Sequence, residues 1–425
     1  MRYSRSCSAW TSHRRIAAAL PGSLFGLPWA VIGLKEVTAL PARDEHRRWN
    51  VTRLEFQAWR NFSRLTEVQL DGRAFFIGPN ASGKSNILDA LRFLRDVAGE
   101  GLQGAITRRG GMSEIRSLHT RRFPGVRIAV DVGSRENPAR WSYQLHFRNH
   151  PQRHVPIIEG ERVCRDGEII LDRPDAKDRG DGERLTQTHL EQVSENQAFR
   201  VLARFFESVR YLHIVPHVVR EYRRDGDFRD DPFGSDFLER IAITSKRSRE
   251  ARLKKIQAAL RAAVPQFEKL DLERDLTGDW HLYADYKHWR PKAARQNEAA
   301  FSDGTLRLLG LLWSLAEPGG PLLLEEPELS LHDALVSRLA GLMARMNRTT
   351  GRQVLVTTHS VALLRDPGID PQEIHLLDPR EEGTVVRNVA TLRDVTTLIE
   401  QGVPPGEAVM PLAASEDAHQ LSLTF

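Results

Sequence analysis

Residues 78–85 read Gly78-Pro79-Asn80-Ala81-Ser82-Gly83-Lys84-Ser85 and satisfy the pattern G-x-x-x-x-G-K-[ST] at every position. In a loop of this kind the backbone N–H groups curl around the phosphates of a nucleotide, and the glycines allow that close approach. The lysine reaches the β- and γ-phosphates and the serine hydroxyl faces Mg²⁺. The flanks agree with this reading. Ala74-Phe75-Phe76-Ile77 is predicted as a short buried strand entering the loop. Ser85 to Val97 is predicted as a helix leaving it, with Ile87, Leu88, Leu91, Leu94 and Val97 on one face. The bare pattern arises by chance in roughly one to two per cent of chains of this length, and the flanking strand and helix lower that further. A nucleoside triphosphate is the expected ligand, held by Gly78, Pro79, Asn80, Ala81, Ser82, Gly83, Lys84, Ser85 and the adjoining Asn86.

The chain has 425 residues, enough for one large α/β domain with insertions or for two domains. Its net charge of +5 is a mild basic bias, compatible with a nucleic-acid partner but not diagnostic of one. Cys7 and Cys164 are its only cysteines, which excludes a disulfide framework and any zinc-ligand spacing; a reducing cytoplasmic setting is expected. Arg14-Arg15 precede an apolar run, Ile16 to Leu34, that superficially resembles an export signal. Pro21, Gly22, Gly26, Pro28 and Gly33 make it a poor spanning helix, and no membrane partner is expected. Residues 1–50 are therefore expected to be a non-native or disordered extension, with the folded protein beginning near Val51.

From Val51 the alternation Val51-Thr52-Arg53-Leu54-Glu55-Phe56, followed by Thr66 to Leu70, predicts a hairpin leading to the phosphate loop. Residues 99–125, rich in Gly and Arg, read as a loop. Strand alternation returns at Val126–Val132 and Trp141–Phe147, and 155–171 reads as a hairpin turning at Asp166-Gly167. An antiparallel β insertion over about 126–171 follows from these. Residues 172–188 read as charged and structureless. A helical insertion is expected over about 190–263, interrupted by a strand at Tyr211–Val215 and a charge run at Arg220–Asp231. Two further strands are predicted near Glu268–Glu273 and His281–Tyr286. The nucleotide-binding domain is expected to extend over 51–390, with a C-terminal helix and tail at 391–425.

A second cluster of chemistry lies downstream. Pro321 to Leu324 is an apolar strand ending in Glu325-Glu326-Pro327-Glu328. Beside a phosphate loop, one such acid holds Mg²⁺ and its neighbour orients and deprotonates the attacking water; Glu325 is the metal-side candidate, with Ser85, and Glu326 the catalytic base. Phe301-Ser302-Asp303-Gly304-Thr305 opens an apolar helix. A Ser-x-Gly turn at a helix N-terminus offers free N–H groups and a hydroxyl to phosphate, although a plain helix cap also accounts for it. Leu329-Ser330-Leu331-His332 precedes another helix. Gln353 to Thr358 then reads as a parallel strand that ends in His359, placed to contact a γ-phosphate.

Taken together, these motifs resemble the ABC-type ATPase fold as found in the AAA-domain group related to RecF, SMC and OLD-type proteins, over Val51 to about Leu377. Leu54-Glu55-Phe56 with Trp59-Arg60-Asn61-Phe62 resembles that group's N-terminus, and Gly78–Ser85 its Walker A motif. Phe301–Leu308 is similar to its signature motif, Glu325-Glu326 to its Walker B pair, Leu329–His332 to its D-loop, and His359 to its switch histidine. The fold implied is α/β: a P-loop NTPase of ABC-ATPase type, with a mostly parallel core sheet flanked by helices, an antiparallel β subdomain and a helical insertion. The resemblance implies ATP and Mg²⁺ as ligands. It also implies an ATP-dependent homodimer in which Ser302, Asp303 and Gly304 of one copy cap the nucleotide held by Lys84 of the other. Two features depart from the group. Glu325 stands where most relatives have Asp. The glutamine that usually touches Mg²⁺ has no clear counterpart, Gln144 and the region 216–220 being the alternatives.

Two functional readings follow. One is a DNA-associated ATPase of repair or anti-phage defence, motivated by the resemblance and by the basic segment Lys246, Arg247, Arg249, Arg252, Lys254, Lys255 and Arg261. A solvated helix face accounts for those charges equally well. The other is an ATP-operated switch controlling a separately encoded effector such as a nuclease or toxin. OLD-type relatives carry a metal-dependent nuclease after the ATPase, whereas the stretch after His359 is short and its Glu416-Asp417 pair does not make a metal site.

Overall fold

Alternate residues of three adjacent apolar strands point into two different cores. Phe75, Ile77, Leu322, Leu324, Val354 and Val356 face one; Ala74, Phe76, Leu323 and Leu355 face the other. Strands buried on both faces are near-continuous in apolar residues, which is the pattern of a parallel sheet between two layers. In the computed structural model, which describes residues 49–120, 123–220, 231–287 and 295–414, these strands are the centre of a six-stranded sheet.

The elements run in the following order. Strands β1 (Asn50–Gln57), β2 (Thr66–Gln69) and β3 (Arg73–Ile77) lead into helices α1 (Lys84–Thr107) and α2 (Met112–Ile115). Four strands follow, β4 (Val126–Gly133), β5 (Trp141–Asn149), β6 (Pro156–Arg165) and β7 (Glu168–Arg173), then α3 (Ala176–Gly180) and α4 (Arg200–Glu207). Next come β8 (Arg210–Leu212), α5 (Pro216–Arg220), α6 (Phe237–Ile243), α7 (Lys246–Ala263), β9 (Phe267–Arg274), β10 (Trp280–Tyr286) and β11 (Arg295–Asn297). The chain then forms α8 (Asp303–Ala316), β12 (Leu322–Glu325), α9 (Asp333–Thr350), β13 (Val354–Thr357), β14 (Ile374–Arg380), β15 (Gly383–Asn388), α10 (Arg393–Glu400) and α11 (Pro405–Val409).

The core sheet has the order β15-β14-β3-β13-β12-β8, parallel throughout except for β15. One face carries α1 and a six-stranded antiparallel sheet; the other carries α7, α8 and α9. Gln353, buried just before β13, joins two layers. Its side chain accepts from Val51 N–H at 2.9 Å and donates to the carbonyls of Val51 and Asp71, both at 2.7 Å.

Several expectations change. The antiparallel sheet is ordered β2-β1-β4-β5-β6-β7, so the N-terminal hairpin forms one side of it and it is not purely an insertion. Its last turn is as read: Asp166 and Gly167 both have positive φ, 49° and 85°. Residues 99–107 continue α1 where a loop was expected. Gly101, at φ 84°, breaks the helical backbone, and the freed N–H of Leu102 is accepted by Glu191 at 2.6 Å. Burial of Leu102, Ala105 and Ile106 then overrides the weak local propensity of the glycines. Residues 172–188, read as structureless, are exposed over most of their length but ordered: they contain α3, and Arg173 bridges Glu161 and Asp178, all three side chains fully buried. The helix expected from 190 begins only at Arg200, and α4 packs with α1 in the first core, whereas α6 and α7 belong to the second. The helical insertion is thus two separate pieces. Trp49, the first described residue, is buried against Trp141 and Phe205. The charge run at 221–230, residues 1–48 and the pair Glu416-Asp417 lie outside the described residues.

His375 of β14 sits opposite Phe76 of β3, its ring stacked at 5.3 Å and its Nε2 buried without a partner among the described residues. Burial holds its pKa down at about 4, against 6.5 for an exposed ring. Between those values the unfolded chain takes up a proton that the folded chain refuses. Stability is therefore full above the upper value and is lost as pH falls through the window, by about 3 kcal/mol in all. Replacement of His375 by Phe is expected to flatten this loss, measured by urea unfolding across the acid range. An unchanged slope would show that other groups set it.

Candidate functional site

Strict register along the core sheet brings the candidate residues to one edge. Glu325 lies opposite Thr357, and Thr357 opposite Phe76. The segments that follow β3, β13 and β12 therefore leave the sheet side by side: the phosphate loop, Thr358-His359, and Glu325-Glu326. This C-terminal edge is where open parallel sheets bind ligands.

The loop Gly78–Gly83 needs its glycines. Gly83 has φ 99°, and a Cβ there would lie 2.2 Å from the Asn61 side chain; a Cβ on Gly78 would lie 2.6 Å from the Leu377 carbonyl. The Lys84 ammonium donates to the carbonyls of Gly78 and Pro79, at 3.0 and 2.9 Å. Burial lowers its pKa to about 8, while Glu326 and Glu325 act in the opposite direction. Asn80 and Ala81 are exposed at the loop tip, and Ser82 is buried beneath it.

The loop is braced from behind by two residues that the motif does not contain. Asn61 Nδ2 donates to the Ser82 carbonyl and to Thr384 Oγ1, both at 2.7 Å, and Asn61 Oδ1 accepts from Asn86 at 2.8 Å. Thr384 Oγ1 also donates to the Ser82 carbonyl, at 2.8 Å. Asn61 was legible only as part of an N-terminal motif. Thr384 carried no signal, since nothing in its own neighbourhood marks a residue of β15 as a partner of a loop 302 positions earlier.

The acids occupy distinct environments. Glu325 Oε1 accepts from the Ser85 hydroxyl and Oε2 from the Tyr211 hydroxyl. The extra methylene of Glu over Asp thus does not carry the carboxylate out of reach of Ser85. Burial raises the Glu325 pKa, and Ser85 acts against that shift. Glu326 has φ 42°, a left-handed backbone costly for a residue with a Cβ, and its carboxylate lies 3.5 Å from His359 Nε2. Burial and the Lys84 charge lower the His359 pKa, which favours a neutral imidazole. Glu328, missed as a site residue, accepts from Thr358 Oγ1 and, at 3.2 Å, from the His359 N–H, so it fixes the base of that histidine.

The Ser-x-Gly turn is held apart from the phosphate loop. Ser302 caps α8 by accepting from Thr305 N–H at 3.3 Å, Asp303 accepts from Arg220 at 2.6 Å, and Gly304 packs against the Ser330 carbonyl. Among the described residues no hydrogen bond or ion pair joins Ser302, Asp303 or Gly304 to residues 78–86. Of the two alternatives for the missing glutamine, Gln144 lies in β5 and accepts from Arg127, and α5 reaches the Ser-x-Gly turn through Arg220. The residues that reach Glu325 from this side are Tyr211 of β8 and, just after that strand and 3.4 Å from the Glu325 main-chain carbonyl, His213.

Residues 73–365 match the family described as "AAA domain, putative AbiEii toxin, Type IV TA system". The chain belongs to this AAA-domain family. With its phosphate loop after β3, five parallel strands and adjoining antiparallel sheet, this AAA-domain chain has the P-loop ABC-type ATPase fold that its motifs implied. No curated protein matches it by sequence. Among solved structures, an SMC head bound to the C-terminal winged-helix domain of ScpA is 15% identical, with TM-score 0.49, covering 80% of this chain and 97% of the other. The SMC head domain from Thermotoga maritima is 14% identical with TM-score 0.42, covering 80% and 99% respectively. An SMC head with an extended coiled coil, bound to the C-terminal domain of ScpA from Pyrococcus furiosus, is 14% identical with TM-score 0.49, covering 83% and 100%. Among the described residues no helix is long and apolar enough to cross a membrane.

The donor set suits the ligands the family implies. A hydroxyl and a carboxylate facing each other at Ser85 and Glu325 fit a hard divalent cation such as Mg²⁺, and a buried lysine at the base of a glycine loop fits phosphate. Removing the rear brace with Asn61→Ala is expected to weaken nucleotide binding about tenfold while leaving the fold intact, since one hydrogen-bonded support of about 1.4 kcal/mol is lost. Fluorescent-nucleotide titration measures this; unaltered affinity would show that the loop holds its shape without Asn61.

Proposed function

We propose that this chain binds ATP with Mg²⁺ and hydrolyses it to ADP and phosphate, working as an ATP-gated dimer in the cytoplasm. The observation that carries this reading is the convergence of Lys84, Ser85, Glu325, Glu326 and His359 on one sheet edge. Lys84 and the N–H groups of the loop hold phosphate charge. Ser85 and Glu325 hold the metal, which when bound neutralises charge developing on the phosphate oxygens. Glu326 accepts a proton from the attacking water as its oxygen bonds to the γ-phosphorus and the bond to ADP breaks. His359, neutral and fixed through Glu328, orients Glu326 and the γ-phosphate. Ser302 and Asp303 are exposed and unconnected to the phosphate loop of their own chain, which supports their use on the nucleotide of a second copy.

For the wider role we favour action on DNA, in repair or anti-phage defence. The support is one face of α7. Arg261 is tied to the carbonyls of Phe267 and Glu268, Arg249 to that of Ala242, and Arg252 lies over Trp313. Arg247, Lys254 and Lys255 are exposed, opposite the buried Leu253, Ile256 and Leu260, and Lys246 is exposed at the first position of the helix; none of the four makes a hydrogen bond or ion pair among the described residues. Such a face can track phosphates. The alternative, an ATP-binding switch on a separate effector protein, draws support from the toxin–antitoxin wording of the family description.

Glu326→Gln is expected to reduce ATP turnover at least a hundredfold while retaining ATP binding and to associate into dimers only with ATP, measured by steady-state turnover and light scattering. Turnover equal to that of the unaltered chain would remove Glu326 as the base, and a monomer at saturating ATP would remove the dimer. Charge reversal of Lys246, Arg247, Lys254 and Lys255 is expected to abolish salt-sensitive duplex-DNA binding and any DNA stimulation of turnover. Absence of both in the unaltered chain would favour the effector switch.

A further inference from the structure

Nothing in the hydrolysis chemistry above uses β8, yet this edge strand touches the site. Parallel pairing sets Tyr211 opposite Leu323 and Leu212 opposite Leu324. From there the Tyr211 phenol donates to Oε2 of Glu325, while Oε1 accepts from Ser85. The two oxygens of one carboxylate are thus held by donors on two different elements, β8 and the start of α1. The phenol ring is itself held. Tyr211 packs against the first core, and the Arg92 guanidinium of α1 lies 5.1 Å from its centroid.

A half-buried tyrosine at a strand edge ordinarily finds some acceptor for its hydroxyl. Here the acceptor is the metal-side acid, and that acid is a Glu, with one more rotatable bond than Asp. Mg²⁺ demands near-ideal octahedral geometry and tolerates a wandering ligand poorly. A second donor on the far oxygen selects the rotamer that keeps the near oxygen beside Ser85.

We propose that Tyr211 is a positioning residue for the divalent metal, fixing the long Glu325 side chain so that its free reach matches that of a shorter acid. This rests on the reading of Glu325 as the metal-side acid. The test uses the full chain with Mn²⁺ as probe, followed by its electron paramagnetic resonance signal in the presence of a slowly hydrolysed ATP analogue. Nucleotide affinity in EDTA is measured alongside. Tyr211→Phe is expected to weaken Mn²⁺ binding about tenfold, the range for partners that orient a metal ligand, with metal-free nucleotide affinity and thermal unfolding unchanged. In a Glu325→Asp background, where the shorter acid no longer reaches the phenol, the same change is expected to have no effect.

Unaltered Mn²⁺ affinity in Tyr211→Phe would overturn the proposal, as would an equal loss in the Glu325→Asp background, which would mark Tyr211 as merely structural. Should Tyr211→Phe unfold, Arg92→Met, which frees the ring without removing the hydroxyl, is expected to show a smaller selective loss of Mn²⁺; its absence in folded protein would be equally decisive against it. A Glu325→Ala variant that binds Mn²⁺ as well as the unaltered chain would instead remove Glu325 as a ligand, and both readings would fall together.

Discussion

Parallel pairing of β3, β13 and β12 without a register shift is the constraint from which the site follows. A one-residue slip in any of these pairs would invert its side chains between the two cores. It would also move Glu325, His359 or the phosphate loop off the common edge. The apolar alternation that buries Phe76, Leu355 and Leu323 on one side and Phe75, Val356 and Leu324 on the other therefore does two things at once. It makes the slip costly in buried area, and it aligns chemistry that is separated by hundreds of residues in the chain.

Around that edge the polar groups are over-determined. The phosphate loop is gripped through the Ser82 carbonyl by both Asn61 and Thr384, and the histidine after β13 is held by Glu328 beneath it. Two of the non-glycine residues with positive φ, Ala81 and Glu326, lie at this edge. Residues in that region persist only where neighbours hold them, and the density of hydrogen bonds behind the loop supplies that support.

How much of this was legible in the sequence depended on how local the physics is. The phosphate loop and the turn at Asp166-Gly167 are short-range chemistry, and the strand ending in Glu325-Glu326 is a contiguous apolar run; all were readable. The extension of α1 past Gly101 was not, because the group that mends the broken helix is Glu191, 89 positions away. Nor was the order within 172–188, where a charge-rich stretch reads as structureless unless one knows that Arg173 meets Glu161 across the sheet. The basic helix was half legible: its cations were visible, but which of them were already tied to carbonyls or lying over an aromatic ring was not. Tyr211 is the clearest omission, since a tyrosine in a three-residue strand carries no motif and acquires a role only through the strand beside it.

Gln353 has a consequence for how the molecule is made. The backbone N–H and C=O of Val51 are both satisfied by a side chain 302 positions later, and β3 finds its partners β13 and β14 only at comparable separations. A chain emerging from the ribosome completes the first hairpin early but leaves β3, five consecutive buried residues, without a neighbour until most of the protein has been synthesised. Long-range pairing of this kind folds slowly and exposes an apolar edge while it waits. The nucleotide loop that follows β3 is in this sense translated well before the strands it works beside and is among the last parts of the site to be assembled.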